Sequence, residues 1–150
     1  MTGDARTVAA TSEDATTDDA FARRTEAVRA RYRSTLGDVP GGVQDRLRLA
    51  RDSGRLPTEE ALAALRHIVL TDSPLGARVQ QLVHYGQLLS LGREHSARIH
   101  ARGALHAGAT VADLIGVAET ALITSGVPAY ALGTEIVIDL LATTALRPPC

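Results

Sequence analysis

Cysteine and aromatic residues are scarce in this sequence, and lysine is missing altogether. The single cysteine, Cys150, is the last of 150 residues, so an internal disulfide and a redox pair of nearby cysteines are both excluded. Aromatic residues make up 3% of the chain, and sixteen arginines are balanced by seventeen acidic residues to a net charge of −1. A nucleic-acid-binding surface is typically basic, with aromatic side chains among the basic ones. We therefore expect no nucleic-acid partner.

Long apolar segments are missing as well. The first twenty residues are polar and acidic, unlike those of a secretory signal peptide. The longest uncharged run near the C-terminus, residues 120–134, is too short to span a bilayer and includes Pro128. These features predict a cytoplasmic protein with no membrane partner.

The residues that are present predict an N-terminal tail followed by one helical domain. Residues 1–17 are rich in Thr, Ala and Asp without apolar periodicity, which indicates a disordered tail. Residues 18–150 form the domain, and the hydrophobic content of 45% suffices for a core. Glycines end the candidate helices, and no segment is typical of a strand hairpin. We expect an all-α fold, a compact bundle of about six or seven helices.

Two helix starts carry specific signals. Thr110 is followed three residues later by Asp113, a pattern that resembles a capping box, with aspartate in place of the usual glutamate. Pro128 is suited to the first turn of a helix, and we expect the last helix to run from there to about Thr144.

Two of the predicted helices are apolar on more than one side. In residues 128–144, apolar side chains cover most of the helix circumference. Residues 74–91 form an apolar stripe while the other side lacks charges; the stripe contains Leu75, Val79, Leu82, Val83, Gly86 and Leu89, and the other side Gln81, His84, Leu88 and Leu91. A chain of this size buries few helices on both sides, so these surfaces predict a subunit interface in a homo-oligomer.

The helix predicted from Arg93 to Ala107 separates two groups of polar side chains. Arg93, Ser96 and His100 share one side with small residues, which leave room for a ligand or a close helix. The other side is predicted to be solvated or salt-bridged and carries His95, Arg98, Arg102 and His106.

Residues 100–129, HARGALHAGATVADLIGVAETALITSGVPA, resemble the signature of the carboxymuconolactone decarboxylase and alkylhydroperoxidase D-like superfamily. The shared features are a histidine, an Ala-Leu pair, a Gly-Ala-Thr helix start, an acidic capping residue and a Gly-Val-Pro-Ala segment. The resemblance is clearest between Gln81 and Leu140. It implies a small all-helical subunit that assembles as a trimer or hexamer, with active sites near the subunit contacts.

The redox branch of that superfamily works through a glutamate, two cysteines and a histidine at fixed spacing. When the pattern is aligned on His100, Arg93 and Ser96 occupy the cysteine positions and Gln81 the glutamate position. A serine forms no disulfide and a glutamine relays no proton, so the resemblance implies the branch without the cysteine pair. The decarboxylase branch also has the Leu-Gly-Arg-Glu segment that this chain carries at residues 91–94.

His100 is the histidine that the resemblance places in the active site. The functional interpretation is a general acid or base, because the ordinary pKa of histidine lies near neutrality. The alternative is a hydrogen-bonded histidine of the core. His84 shares a helix face with Gln81 and is a second candidate acid, base or substrate ligand, with an interface histidine as its alternative.

Four further residues are candidate substrate ligands. Arg93 is suited to bind a carboxylate through its bidentate guanidinium, although an exposed arginine at a helix start fits equally well. Ser96 can donate a hydrogen bond to a bound oxygen, and Gln81 can orient a water or a substrate. Tyr85 is the fourth candidate, with a buried hydroxyl bonded within the fold as the alternative.

These candidates are expected to converge on one pocket. Gln81 and His84 lie one turn apart on one helix, and only Gly92 and its neighbours separate that helix from the next. A short connection makes sharply angled or antiparallel neighbours, so the two faces can meet. We therefore predict that Gln81 and His84 face the same pocket as Arg93, Ser96 and His100.

The favoured function is that of a lyase, isomerase or cyclase acting on a small carboxylated or lactone metabolite, with no cofactor or metal. Decarboxylation beside an unsaturated lactone needs a group to hold the carboxylate and an acid to protonate the carbanion, roles for which Arg93 and His100 are candidates. Two alternatives stay open. One is a peroxidase-type activity, which the missing cysteines disfavour. The other is a non-catalytic binding or assembly protein, which would have no cavity beside His100.

Overall fold

Seven α-helices make up residues 12–145, the part of the chain that the computed structural model describes, with side chains described for residues 17–143. In chain order the helices are α1 (Ser12–Leu36), α2 (Gly41–Ser53), α3 (Leu56–Thr71), α4 (Gly76–Ser90), α5 (Glu94–His106), α6 (Val111–Ser125) and α7 (Val127–Ala145). No β-strand occurs among these residues, so the prediction of an all-α fold is confirmed. None of these helices combines the length and the apolar character that crossing a membrane requires.

Glycine, threonine and proline set several helix ends as the sequence predicts. Gly54 and Gly108 follow α2 and α5 with φ angles of +67° and +88°, a left-handed conformation that favours glycine. The predicted capping box opens α6: the Asp113 amide donates to the Thr110 hydroxyl at 3.1 Å, and the Thr110 amide donates to the Asp113 carboxylate at 2.8 Å. Helix α7 begins at Val127, so that Pro128 lies in its first turn.

Helix α1 begins within the segment that the sequence analysis assigns to a disordered tail. Residues 12–17 belong to this helix, whereas residues 1–11, like Cys150, lie outside the described residues. Acidic residues are favourable in the first turn of a helix, and Glu13 and Asp14 occupy such positions. Helix formation at this end therefore does not require the apolar periodicity that the segment lacks.

The buried apolar side chains form two clusters. The first lies among α4–α7 and is rich in alanine, with Tyr85, Leu89, Leu114 and Ile136 as its largest members. The second lies among α1–α3 and contains Val28, Tyr32, Leu36, Val43, Leu47, Ala50, Leu56 and Ala63. Helix α1 also packs on α5, and α3 packs on α4, so the two clusters meet along a seam beside α5.

Helix α4 has apolar residues on two sides, as the sequence predicts. The side that packs into the core is the one that contains Gln81, and not the one with Val79 and Val83. Gln81, Tyr85 and Leu89 are fully buried, whereas Val79 and Val83 of the predicted stripe are 37% and 39% exposed. These two valines line an open groove of about 650 Å³ between α4 and α6, named here the α4–α6 groove. Its lining residues are all uncharged: Val79, Leu82, Val83, Gly86, Gln87, Ser90, Leu91, Val117, Thr120, Ala121 and Thr124.

Helices α6 and α7 approach each other closely at Gly133. A Cβ atom added at this position would lie 2.6 Å from the Cβ of Ala118 and 2.9 Å from a methyl carbon of Leu89. At Gly116, on α6, an added Cβ would meet nothing within 4 Å. The two glycines therefore differ in whether the packing requires them.

We expect Gly133→Ala to lower the free energy of unfolding by about 1–3 kcal/mol, because the extra methyl group overpacks the contact between α6 and α7. Gly116→Ala is the matched control and should raise it by about 0.5–1 kcal/mol, since alanine loses less backbone entropy in a helix. Urea denaturation followed by circular dichroism measures both variants. Equal stability of the two variants would contradict this description of the α6–α7 contact.

Candidate active site

A cavity of about 340 Å³ opens at the seam between the two apolar clusters. Helices α1, α2, α3 and α5 and the segment before α2 supply its lining residues: Tyr32, Leu36, Pro40, Gly42, Val43, Arg46, Leu62, Arg66, His95, Ser96, Ile99 and His100. This lining contains two arginines and two histidines but no carboxylate. Among the described residues, the lining of the α4–α6 groove contains no ionisable side chain, so the ionisable groups belong to the cavity at the seam.

The rotation of α5 decides which of its side chains reach the cavity. Ala97, Ala101 and Ala104 are fully buried in the α4–α7 cluster. Their burial turns an adjacent side of the helix, which carries Ser96 and His100, towards the cavity.

Hydrogen bonds hold His100 in place across the seam. The imidazole Nδ1 lies 2.7 Å from Oε1 of Gln81, and Nε2 of Gln81 donates to the backbone carbonyl of Thr35 at 3.2 Å. Gln81 is fully buried, and His100 is 6% exposed. The side chain of Gln81, on α4, therefore joins α5 to the C-terminal end of α1.

His84 lies beside His100, and both imidazoles are kept neutral by their surroundings. The ring centroids are 4.7 Å apart, with an angle of 59° between the ring planes. Burial lowers the pKa of His100 to about 3, with smaller contributions from His84 and the positive charge of Arg66. Burial also lowers the pKa of His84, and Arg66 adds to the effect. At neutral pH both imidazoles are therefore uncharged, and burial opposes their protonation as long as no negative charge lies beside them.

Two arginines line the cavity, and they differ in whether a carboxylate pairs with them. The guanidinium of Arg46 donates to Glu59 at 3.0 Å and to the Tyr32 hydroxyl at 3.2 Å. The guanidinium of Arg66 lies over the ring of Tyr32, 5.4 Å from its centroid, and within residues 17–143 no carboxylate pairs with it. A guanidinium without a carboxylate partner in a concave site is suited to bind a small anion.

Four of the six predicted site residues lie at or beside this cavity. Ser96 and His100 line it. Gln81 and His84 do not line it but contact the imidazole of His100. The predicted convergence of the two helices at His100 is therefore found for these four residues.

The other two, Arg93 and Tyr85, do not reach the cavity, contrary to the sequence analysis. Helix α5 begins at Glu94, and Arg93 is an exposed residue before its first turn, so the helical spacing does not extend to it. Tyr85 is fully buried, and its hydroxyl donates to the backbone carbonyl of Gly133 at 3.0 Å. Burial raises the pKa of Tyr85 to about 12. Its hydroxyl is thus bonded within the fold.

Arg66, Arg46 and Tyr32 also line the cavity, but the sequence analysis did not predict them as site residues. It predicted His95 on the solvated side of α5. Arg66 offered one signal, because it interrupts the otherwise apolar segment 61–70 together with His67. His95 is exposed and also lines the cavity. On the same helix the predicted salt bridging is present, since Arg98 pairs with Glu94 at 3.0 Å and with Asp139 at 2.7 Å.

Comparisons with known proteins agree with this fold. The sequence matches the carboxymuconolactone decarboxylase family over residues 57–138, more than half of the chain, which confirms the resemblance in residues 100–129. The fold is similar to that of a "putative carboxymuconolactone decarboxylase" from Burkholderia xenovorans LB400, with a TM-score of 0.68 and 18% identity over 86% of this chain and 99% of that one. At this identity the likeness concerns the fold alone. No curated protein matches the sequence.

The low pKa of His100 predicts that the protein loses stability as the pH falls. In the unfolded chain this imidazole takes up a proton below pH 6.5, whereas in the folded protein it stays neutral down to about pH 3. The free energy of unfolding should therefore decrease between pH 6.5 and about pH 4, by up to about 1.4 kcal/mol per pH unit. In His100→Gln this contribution should be absent, while His106→Gln, at an exposed site, should keep it. Urea denaturation at several pH values measures the difference, and parallel pH profiles of wild type and His100→Gln would contradict it.

Proposed function

Because this chain belongs to the carboxymuconolactone decarboxylase family, we propose that it is an enzyme that moves a proton on a small carboxylated or lactone metabolite. The class of reaction is that of a decarboxylase-like lyase, an isomerase or a cyclase, without a cofactor. The observation that carries the proposal is a neutral imidazole, His100, in a cavity that also contains Arg66, which pairs with no carboxylate of residues 17–143.

Arg66 replaces Arg93 as the proposed carboxylate ligand. Its guanidinium lines the cavity together with His100, whereas the charge of Arg46 on the α2 side is paired with Glu59. A bound carboxylate would neutralise the charge of Arg66. Because Arg66 contributes to lowering the pKa of His100, a bound anion would also make the imidazole more basic.

His100 is proposed as the proton acceptor. It takes a proton from a carbon next to a carbonyl or lactone group, and the negative charge that develops on the substrate lies near the arginines. In an isomerase, the resulting imidazolium returns the proton to another atom of the same substrate. In a decarboxylation, carbon dioxide leaves first, and the carbanion takes up one proton from solvent, relayed by His100. In this proposal Ser96, which lines the cavity, donates a hydrogen bond to the substrate, and His84, beside the imidazole, is a second proton acceptor.

The two alternatives gain less support. A thiol peroxidase would need sulfur at the positions that Arg93 and Ser96 occupy. A non-catalytic assembly protein on the same fold would have no use for a cavity beside His100, and a cavity of about 340 Å³ is present there. A binding protein would bind ligands in this cavity without turnover, which the exchange experiment below distinguishes. A peroxide assay with a thiol reductant separates the first alternative from the proposal.

We expect His100→Gln to reduce turnover on the order of 10²–10⁴-fold, the usual contribution of a general acid or base. Arg66→Gln should mainly raise KM, because it removes a binding charge. Arg102→Gln, an exposed arginine of the same helix as His100, is the control and should leave both constants unchanged. A panel of small carboxylated lactones and unsaturated acids in D₂O, followed by proton NMR, detects turnover and carbon–hydrogen exchange. Exchange at the wild-type rate in His100→Gln would overturn the proposal.

We also propose that a second copy of this chain covers the α4–α6 groove in a homo-oligomer. The groove is lined entirely by uncharged residues, and a patch of this kind on one copy can face the same patch on another without burying a charge. The small net charge of −1 adds little repulsion between copies.

Light scattering should therefore give a mass well above the 15.8 kDa of one chain, as a trimer or a multiple of it. Val79→Glu combined with Val83→Glu should shift the mass towards 15.8 kDa, because two buried carboxylates would oppose the contact. Leu49→Glu is the control and should leave the mass unchanged, because Leu49 is an apolar residue outside the groove that is 65% exposed. A wild-type monomer at micromolar concentration would contradict the proposal.

A further inference from the structure

The hydrogen bonds around Gln81 determine which nitrogen of His100 carries the proton. The backbone carbonyl of Thr35 can only accept, so the Gln81 atom that lies 3.2 Å from it must be the amide nitrogen. The amide oxygen then faces His100, and an oxygen can only accept as well. Nδ1 of His100, 2.7 Å away, must therefore be the protonated nitrogen of the neutral ring.

The other ring nitrogen of His100 is both bare and accessible. Within residues 17–143, every fully buried side-chain nitrogen or oxygen has a hydrogen-bond partner. Nε2 of His100 has no partner among these residues, so it cannot be fully buried. Since His100 lines the cavity, Nε2 is reached from the cavity.

Close packing keeps the Gln81 amide in this orientation. A Cβ atom added at Gly103 on α5 would lie 2.9 Å from the Gln81 Oε1 and 3.0 Å from its Cδ. The amide is bonded at both ends and fully buried, so it has no free space into which to move. Glycine at this position is therefore required for the bond between Gln81 and His100.

We propose that Gln81 is a positioning residue that holds His100 in the tautomer with Nδ1 protonated and leaves a bare Nε2 towards the cavity. A base must present a lone pair to its substrate, and the opposite tautomer would present a proton instead. The use of Nε2 as a base rests on the proposed function, whereas the tautomer itself does not.

Long-range ¹H–¹⁵N NMR of the labelled protein at pH 7 tests the tautomer without a substrate. We expect Nδ1 of His100 to have the shift of a protonated nitrogen and Nε2 that of a bare one, with the signals assigned by their loss in His100→Gln. A protonated Nε2 in the wild type would overturn the proposal.

Substitutions at Gln81 test whether this residue determines the tautomer of His100. Gln81→Leu removes the acceptor and should move a large part of the population to the tautomer with Nε2 protonated. Gln81→Glu loses the donor to the Thr35 carbonyl but keeps an acceptor beside the imidazole, and should therefore leave Nδ1 protonated. Gln80→Leu, the same change at the next residue, whose side chain binds Ser73 instead, should have no effect. An unchanged tautomer in Gln81→Leu would overturn the proposal.

Gly103→Ala tests the same bond without changing either partner. The added methyl group should displace the amide and produce the same change of tautomer as Gln81→Leu. With a substrate in hand, both variants should lower kcat on the order of 10-fold or more with a smaller change in KM. If the variants change the tautomer as described but the wild type turns over no substrate, the proposed function is wrong and the inference about Gln81 is still supported.

Discussion

One buried amide, that of Gln81, connects the parts of this structure on which the site depends. Its nitrogen binds the backbone carbonyl of Thr35, one of the last carbonyls of α1, which the helix itself leaves without a partner. Its oxygen binds the imidazole of His100. Leaving such groups buried and unpaired would cost about 1–3 kcal/mol each, so α1, α4 and α5 are held in one relative position. The cavity lies where that position brings the two apolar clusters together.

Most of the fold could be predicted because its signals are local. Left-handed glycines after α2 and α5 and the capping box at Thr110 depend on residues within one helix turn. The start of α1 could not be predicted in the same way, since residues 12–17 carry helix-compatible acidic residues without an apolar period. Apolar periodicity reports the burial of one helix face and not the helical backbone itself.

Helical spacing predicts which site residues share one side of a helix, but not which residues other helices bring to the cavity. Ser96 and His100 lie one turn apart within α5, so their common side follows from the sequence. Arg93 was assigned by the same spacing but precedes the helix, where the backbone no longer has helical geometry. Arg66 reaches the cavity from α3, and no local pattern specifies which distant helix packs beside His100.

Helix α4 connects the cavity at the seam with the α4–α6 groove. Its buried side holds Gln81 against His100, and an adjacent side supplies Val79 and Val83 to the groove. Helix α4 packs on α3, α5, α6 and α7, and a shift of a few tenths of an ångström against α5 would weaken a 2.7 Å hydrogen bond. Packing of the groove against a second copy would add a restraint on α4 from the groove side. Assembly and the tautomer of His100 would then depend on the same helix, although no groove residue lines the cavity.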